Sequence, residues 1–428
     1  MFFRSIQLFL AGLMTALLLT ACGNGEPAPA PTGLQVTAGE SSATLTWDMV
    51  GGVEYWVFFA PTSVAPHDVG SMQAWFGLPG GNVLLKVTSP YVVQGLTNAT
   101  DYTFSINGRI DGGPGGSGAT PVTATPRVAG FAWTAGTAAG SQDLRGAAYG
   151  SVTNSSTALL TPTYLAVGAA GTLFSSLDGA SWSAINYATS SNLNGASYLG
   201  NYKVVGDGGT ILTSSDVVTW TKQTSGTTQN LYAIANNGLN LNVAVGAAGT
   251  ILTSSDGVTW TAASNSATTR DLYAVNYSSY NSGTWVAVGA GGTIVTSSDG
   301  LTWKSLSSGA AADLRGIANL ATASTTTGVI SATFVAVGAS GTVLSSTDAA
   351  TWTAQALPGA SANLNAIVYG SQFVAAGSGG KILYSTDGLS WTAATTTTPA
   401  NSSDLNALAH GPDRYLAVGV AGTNLLSK

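Results

Sequence analysis

The feature that most constrains this chain is a pattern that recurs seven times after residue 130, about every 40 residues. In each copy an aliphatic strand ends in Gly, two further residues follow, and a second Gly precedes Thr or Lys. The seven copies begin at Leu165, Val204, Val243, Val286, Val335, Val374 and Leu416. Repeats of this length are typical of four-stranded sheets that stack side by side, because one sheet cannot bury its own apolar faces.

Two further sequence patterns recur with the same spacing as the repeat. An Asp or Asn followed by Leu opens a strand before each copy, at Asp143, Asn192, Asn230, Asp271, Asp313, Asn363 and Asp404. After six copies comes a Ser-x-Asp turn and then Trp, at Asp178 and Trp182, Asp216 and Trp220, Asp256 and Trp260, Asp299 and Trp303, Asp348 and Trp352, and Asp387 and Trp391. Ser and Asp oxygens accept backbone N–H groups in tight turns, and Trp supplies a large apolar surface.

The two ends of the repeat region are unequal. The seventh copy stops at Lys428 without its Trp strand, whereas residues 131–134, which contain Trp133, stand alone before the first copy. An incomplete ring of sheets leaves exposed edges, which natural β proteins avoid. We therefore predict an all-β, seven-bladed β-propeller over residues 130–428, whose last blade is completed by the strand at 131–134.

The Asp and Trp segments resemble the Asp-box hairpins of BNR-type propellers, although Asp and Trp are four residues apart here and five apart in that family. The Val-Gly-x-x-Gly-Thr run is similar to the repeats of the photosystem II assembly and stability factors. The resemblance implies a structural role for the twelve Asp and Trp residues. It also implies a scaffold that binds another protein.

Catalytic groups are scarce in the repeat region. Sialidase-like propellers need an arginine cluster, a Tyr/Glu pair and an acid, but no Glu follows Glu54. Ten of the twelve Asp residues in the repeat region occupy repeated positions, and only Asp207 and Asp413 do not. His410 has no second His or Cys beside it in the repeat region. We therefore predict a protein that is not an enzyme and has neither a metal site nor a cofactor.

The best candidates for ligand binding occupy one repeated position. In a propeller the innermost strand of each blade lines the central channel, so the residue after each Asp/Asn-Leu pair lies near its mouth. These residues are Arg145, Asn194, Tyr232, Tyr273, Arg315, Asn365 and Asn406. Their side chains suit a protein segment or a glycan. The alternative is that they cap strand ends and face solvent or neighbouring blades. Ser/Thr-rich inserts at 150–162, 278–284 and 320–333 are predicted to be loops on the opposite face.

Residues 1–22 have the pattern of a secretory signal peptide, with Arg4 before an apolar stretch too short for a membrane span. The stretch ends in Leu19-Thr20-Ala21-Cys22, which resembles the lipobox of bacterial lipoproteins. Cys22 is the single cysteine of the chain. The resemblance implies lipidation of Cys22 and attachment to a membrane, and Gly23 at the next position implies the outer membrane. An ordinary signal peptide is the alternative. Residues 23–30 are predicted to be a Pro/Ala-rich tether.

Residues 31–126 alternate short β-branched runs with turn residues, which predicts a β-sandwich. Trp47 and the segment from Leu96 to Tyr102, with its Leu-x-x-x-Thr-x-Tyr spacing, are similar to fibronectin type III domains. We interpret this domain as a spacer. The Gly-rich stretch at 111–118 is predicted to be a flexible loop.

Only 7% of the residues are charged, against roughly 25% in an average soluble protein, and the formal net charge is −6. A chain so poor in cations cannot neutralise a run of phosphates, so nucleic acid is excluded as a partner. The sequence therefore predicts a lipid-anchored extracytoplasmic scaffold that binds a protein segment or a glycan. The alternative is a carbohydrate-active protein that binds or hydrolyses polysaccharide.

Overall fold

The computed structural model describes residues 27–66, 72–153, 160–280, 283–323, 330–359, 362–396 and 403–427. Cys22, the signal segment 1–22 and His67 lie outside these residues. The regular structure within them consists of β-strands and short 3-10 turns, so the all-β prediction is confirmed. No helix in the described ranges combines the length and the apolar character of a membrane span. The chain divides into two compact units between Val128 and Ala129.

The described part of the first unit contains seven strands in two antiparallel sheets, with strand orders β1-β2-β5 and β4-β3-β6-β7. The strands are β1 (Gln35–Gly39), β2 (Ser42–Thr46), β3 (Val53–Pro61), β4 (Asn82–Val87), β5 (Tyr91–Gln94), β6 (Tyr102–Ile110) and β7 (Val122–Ala124). A single 3-10 turn spans Met72–Trp75.

The two sheets of the first unit share one apolar core. Leu45 comes from the three-stranded sheet and Phe104 from the four-stranded sheet, and both are fully buried. Trp47 packs on Tyr55 with ring centroids 5.7 Å apart. The Tyr102 hydroxyl accepts a 3.3 Å hydrogen bond from the backbone N–H of Thr97, which anchors the turn before β6.

Two segments expected to be extended or flexible are packed against this unit. Pro27 forms a β-bridge with Arg109, and Ala28 is only 3% exposed, so these residues of the predicted tether are part of the unit. The Gly-rich loop between β6 and β7 is also held down, because the N–H of Gly116 donates to the carbonyl of Gly108 at 3.0 Å. A Cβ at Gly116 would lie 1.9 Å from the carbonyl oxygen of Ala28, so the close approach requires glycine.

The second unit contains six four-stranded antiparallel sheets and one five-stranded sheet among its described residues. The first three sheets contain β9 (Leu144–Thr153), β10 (Leu160–Gly168), β11 (Leu173–Ser176), β12 (Ser183–Ala184); β13 (Leu193–Leu199), β14 (Asn201–Gly206), β15 (Thr210–Ser214), β16 (Thr221–Gln223); and β17 (Leu231–Asn236), β18 (Asn242–Gly246), β19 (Ile251–Ser254), β20 (Thr261–Ala262). The next three contain β21 (Leu272–Ser278), β22 (Thr284–Gly289), β23 (Ile294–Ser297), β24 (Lys304–Leu306); β25 (Leu314–Ala323), β26 (Ile330–Gly338), β27 (Val343–Ser346), β28 (Thr353–Ala354); and β29 (Leu364–Tyr369), β30 (Phe373–Gly377), β31 (Ile382–Ser385), β32 (Thr392–Ala393).

The five-stranded sheet joins both ends of the unit. It contains β8 (Ala132–Ala135), β33 (Thr395–Thr396), β34 (Leu405–His410), β35 (Tyr415–Gly419) and β36 (Asn424–Ser427), in the order β33-β8-β36-β35-β34. The early strand β8 pairs antiparallel with the last strand β36, as the sequence predicts. The parallel pairing of β33 with β8 was not predicted.

In each of the seven sheets, the strand that begins at an Asp/Asn-Leu pair is here called the first strand. These seven first strands form a closed series. Each contacts the first strand of the next sheet, from β9 through β13, β17, β21, β25 and β29 to β34, and β34 in turn contacts β9. The seven first strands therefore surround the centre of the second unit. The end of the first strands at which the Asp/Asn-Leu pairs lie is called the strand-start face below.

The six tryptophans of the Asp and Trp segments pack on the preceding sheet. Trp303 shares a buried cluster with Val243 and Val245 of the third sheet, and Trp182 lies against Leu416 and Val418 of the last sheet. Trp133 of β8 takes the corresponding place on the sixth sheet, beside Val374 and Ala376. Its Nε1–H donates to the carbonyl three residues earlier, as do those of Trp220, Trp260 and Trp303.

The described residues of two inserts expected to be loops are strand. β9 and β10 remain paired as far as Thr153 and Leu160, and β25 and β26 as far as Ala323 and Ile330. Thr and Ser side chains support extended structure when two such segments run antiparallel. These two hairpins therefore extend from the end of their sheets opposite the strand-start face.

Candidate functional site

Seven side chains link neighbouring sheets at the strand-start face. Each Asp or Asn that precedes a first strand accepts, through Oδ1, a hydrogen bond from a backbone N–H in the 3-10 turn of the preceding sheet. We call these seven residues the staple residues: Asp143, Asn192, Asn230, Asp271, Asp313, Asn363 and Asp404. The donor–acceptor distances lie between 2.8 and 3.1 Å. The bond from Ala421 N–H to Asp143 links the last sheet to the first.

The staple residues also hold the turn of their own sheet through the main chain. The carbonyl of Asp313, for example, accepts from the N–H of Ala339 at 2.8 Å, while its side chain accepts from Gly291 N–H, also at 2.8 Å. A short side chain with a terminal oxygen can do both, and Asp or Asn occupies all seven positions. The sequence shows that these positions repeat but does not indicate their partner in the preceding sheet.

The turns themselves require glycine at one position. In the 3-10 turn Ala169–Gly171, Ala170 and Gly171 have φ of 51° and 73°. A Cβ at Gly171 would lie 2.1 Å from the carbonyl oxygen of Thr189. The invariant second Gly of the repeat is therefore a steric requirement of the turn.

The seven predicted ligand-binding residues all occupy β-bulges. In the second sheet, Leu193 lies opposite Gly206 and Gly195 lies opposite Val205, so Asn194 is the extra residue. The same register shift places Arg145, Tyr232, Tyr273, Arg315, Asn365 and Asn406 at the bulge of their strands. We call these seven side chains the bulge ring. All seven are partly exposed, and bulges re-aim side chains away from the regular pleat.

Five members of the bulge ring also form bonds between sheets. Asn194, Asn365 and Asn406 donate through Nδ2 to the carbonyls of Leu231, Leu405 and Leu144 at 2.9–3.0 Å. Arg145 and Arg315 donate through Nη1 to the side-chain oxygens of Asn194 and Asn365, at 3.2 and 2.8 Å. The alternative interpretation, in which these residues face neighbouring sheets, therefore describes part of their role.

The two tyrosines of the bulge ring lie side by side. The rings of Tyr232 and Tyr273 have centroids 5.6 Å apart and planes inclined at 51°. Burial and then the charge of Asp271 raise the pKa of Tyr232 above its ordinary value. Burial, Asp313 and Asp271 raise the pKa of Tyr273, against a smaller opposite effect of Arg315.

The two aspartates outside the repeat pattern have different surroundings. Asp207 lies in the turn Asp207–Gly209 of the strand-start face and accepts from the Nδ2 groups of Asn192 and Asn194, both at 2.8 Å. Asp413 is only 6% exposed and is paired with Arg414. His410 ends β34 and packs against Tyr415, with ring centroids 4.4 Å apart and planes inclined at 44°. Neither Asp413 nor His410 belongs to the strand-start face.

The six Asp and Trp segments form hairpin turns of one design, here called the Asp/Trp hairpins. In the third sheet, Asp256 Oδ1 accepts from the N–H groups of Val258 and Thr259 and from the Ser254 hydroxyl, at 2.8 to 3.0 Å. These bonds lower the pKa of Asp256 to about 2. The other five hairpins repeat the arrangement, and the pKa of each aspartate is lowered.

The described residues contain no group of three or more His, Cys, Asp or Glu side chains close enough to hold a metal ion. A polar cavity of about 320 Å³ lies at the strand-start face, between the turn Ala290–Gly292 and the serines that follow β24. Arg270 lines it and donates to the carbonyl of Gly291 at 2.9 Å. The bulge ring and the lining of this cavity are both predominantly polar.

Comparisons with known proteins are informative at the level of fold. No protein-family model matches the chain, and no curated protein sequence matches it. YCF48 bound to D1 peptide is 18% identical, with a TM-score of 0.54 over 69% of this chain and 94% of that chain. The WD40 β-propeller domain of Doa1 is 11% identical, with a TM-score of 0.52 over 69% and 96%.

An enzyme has the same fold. Virginiamycin B lyase from Staphylococcus aureus is 11% identical, with a TM-score of 0.51 over 67% of this chain and 95% of that chain. At such identities the likeness concerns the fold alone. The chain carries a β-propeller, and the repeated four-stranded sheets of the second unit fit that fold.

Proposed function

We propose that the second unit is a seven-bladed β-propeller that acts as a non-catalytic scaffold and binds a segment of a partner protein at the bulge ring. The seven sheets, with first strands in a closed series and β8 paired to β36, support the blade number. The observation that carries the function is the bulge ring, which places two Arg, two Tyr and three Asn at equivalent positions around the centre.

The surroundings of the bulge ring suit protein recognition. Tyr and Arg are the side chains that contribute most often to binding energy at protein interfaces. The staple residues and the amide bonds between sheets fix the backbone from which these side chains project. A surface ordered before binding loses little conformational entropy when a ligand arrives. Among proteins of similar fold, YCF48 is known bound to a peptide from D1, which agrees with this use of the fold.

We further propose that the chain is a lipoprotein of the outer membrane, attached through Cys22, and that its first unit is a fibronectin type III spacer. Support for the spacer comes from the two sheets, the Trp47–Tyr55 contact and the bond that Tyr102 receives from Thr97. The lipid anchor depends on the sequence pattern that ends in Cys22.

The alternative, a carbohydrate-active protein, has one observation in its favour. The Tyr232–Tyr273 pair offers aromatic faces on which a sugar ring can pack. Asp207 and Asp413 are the two acids outside the repeat, but Asp413 is buried against Arg414, and Asp207 is occupied by two amides. We therefore rank this alternative second.

The test is a crosslinking pull-down from native membranes with the mature chain. The triple variant Arg145→Ala, Arg315→Ala and Tyr232→Ala should lose the partner that the wild type captures. A control triple, Lys222→Ala, Lys304→Ala and Tyr187→Ala, removes similar side chains away from the bulge ring and should keep it. Equal capture by both triples would refute the proposal. Release of reducing sugar from polysaccharide that Asp207→Asn or Asp413→Asn abolishes would establish the alternative.

A further inference from the structure

The members of the bulge ring differ in the contacts that their side chains make. Five of its members donate hydrogen bonds across the junctions between sheets, whereas Tyr232 and Tyr273 meet each other ring to ring. A cation within about 6 Å of a ring centroid is attracted to the face of that ring. With the two centroids 5.6 Å apart, one cation can lie within that distance of both rings.

Two carboxylates act on the tyrosine pair. Asp271 and Asp313 are staple residues, and the Oδ1 of each accepts a backbone N–H: Asp271 from Ala248 at 2.9 Å and Asp313 from Gly291 at 2.8 Å. Besides burial, the charge of Asp271 raises the pKa of both tyrosines. The carboxylates are therefore close enough to act on a charge placed at the rings.

The nearby arginines are held by other groups. Arg315 donates to Asn365 in the next sheet at 2.8 Å, and Arg270 donates to the carbonyl of Gly291 at 2.9 Å. Asp313 and Asp271 act on Tyr273 more strongly than Arg315 does, and the charges that act on Tyr232 are those of Asp271 and Asp207. The charges around the pair are therefore predominantly negative, which favours a cation.

We infer that Tyr232, Tyr273 and Asp271 form a subsite that receives a lysine or arginine side chain of the bound protein segment. The inference rests on the proposed function and specifies which part of the bulge ring selects the ligand. Asp313 adds a second negative charge at the edge of the subsite. The Arg145–Asn194 and Arg315–Asn365 pairs, which donate hydrogen bonds, lie on either side and suit the carbonyls or carboxylates of the same segment.

The structure supplies matched variants for the test. Asp271→Asn removes the charge and keeps the staple, because Asn already performs that role at Asn192, Asn230 and Asn363. Asp404→Asn makes the same change at a staple residue away from the tyrosines and is the control. Tyr273→Leu removes the aromatic face, whereas Tyr273→Phe retains it.

The probe is a displayed library of random heptapeptides, panned on the immobilised mature chain. Wild type, Tyr273→Phe and Asp404→Asn should enrich peptides with Lys or Arg at one fixed position. Replacing that residue by norleucine in the synthetic peptide should weaken binding about 10-fold. Asp271→Asn should reduce this factor, and Tyr273→Leu should bring it close to one.

The outcomes separate the two proposals. Enriched peptides without a fixed cation, whose binding the Arg145, Arg315 and Tyr232 triple abolishes, would overturn the subsite and leave the proposed function standing. No enrichment, or enrichment that survives the triple, would overturn both. Oligosaccharide binding that Tyr273→Leu abolishes and Asp271→Asn leaves intact would reassign the tyrosine pair to a sugar.

Discussion

The side chain of Asp143 accepts a 3.0 Å hydrogen bond from the backbone N–H of Ala421, which lies 278 residues farther along the chain. The same bond joins every other pair of neighbouring sheets, so the junction between the last sheet and the first has the same local geometry as the other six. The last sheet is therefore joined to the first by the same type of hydrogen bond that joins the other neighbouring sheets.

Removing this bond should weaken the closing junction. Asp143→Ala leaves the Ala421 N–H without its acceptor, and the free energy of unfolding of the second unit should fall by about 1–2 kcal/mol. Asp143→Asn should be close to neutral, since Asn serves in three other sheets. Urea denaturation measures both variants, and amide exchange at Ala421 should accelerate in the Ala variant alone. Equal losses in both variants would contradict the hydrogen-bonding role.

The buried tryptophan of β8 should matter more than any polar contact of the closing sheet. Trp133 is fully buried between the sixth and seventh sheets, so Trp133→Ala should cost about 3–5 kcal/mol of unfolding free energy. Phe131→Ala, two residues earlier in the chain, is the control. Its effect should be smaller because Phe131 is already 39% exposed. A Trp133 effect no greater than that of Phe131 would show that β8 does not contribute to closure.

The Asp/Trp hairpins should make the free energy of unfolding of the second unit depend on pH. Their aspartates have a lower pKa in the folded chain than in the unfolded chain, so their contribution is complete above about pH 4 and is lost as the pH falls towards 2. Urea denaturation at pH 6, 4 and 3 should show this decline. Asp256→Asn should make the decline shallower than in the wild type. An unchanged decline in Asp256→Asn would contradict the prediction.

Two hairpins carry a correctable strain. The residue after the hairpin aspartate has a positive φ and is Gly at 179, 257, 300 and 388. Val217, with φ 57°, occupies this position in the second sheet, and Ala349, with φ 58°, occupies it in the fifth. Ala349→Gly should stabilise the second unit by up to about 1 kcal/mol, seen as a higher Tm. The neighbouring Ala350→Gly should give no such gain. A lower Tm for Ala349→Gly would show that the lost Cβ contacts outweigh the strain.

The proposed lipid anchor makes a separate prediction. Cys22→Ser should abolish incorporation of labelled palmitate and release the chain from the membrane fraction of the producing cell. The unfolding free energy of the two folded units should not change, because Cys22 precedes both. Continued labelling of the variant would refute the anchor.

The repeated elements could be predicted because each one carries its own local signal: an Asp/Asn-Leu strand start, a Gly-x-x-Gly-Thr turn and a hairpin aspartate. The closing strand was predicted because the edge left open at β36 and the isolated segment around Trp133 are complementary. By contrast, β33 lies outside the repeat signature. Its pairing arises because Thr395 passes close to Phe131, whose carbonyl accepts its N–H at 2.9 Å.

The candidate site was predictable in position but not in geometry. The variable residue after each Asp/Asn-Leu pair was identified from the repeat, yet a β-bulge depends on the register between two strands, which one strand does not encode. The 5.6 Å contact of Tyr232 with Tyr273 depends on the approach of two separate sheets. Small residues such as Gly146 and Gly195 follow the bulge position, and they indicate a close approach of neighbouring sheets. A Cβ at Gly146 would lie 3.0 Å from the Cα of Gly195.

The pairing of β8 with β36 also governs when folding can finish. β8 precedes the other described strands of its unit along the chain, and its antiparallel partner β36 follows them. A chain that lacked β36 would expose one edge of β8 to proteases and to other chains. Closure of this sheet therefore waits for the synthesis of β36.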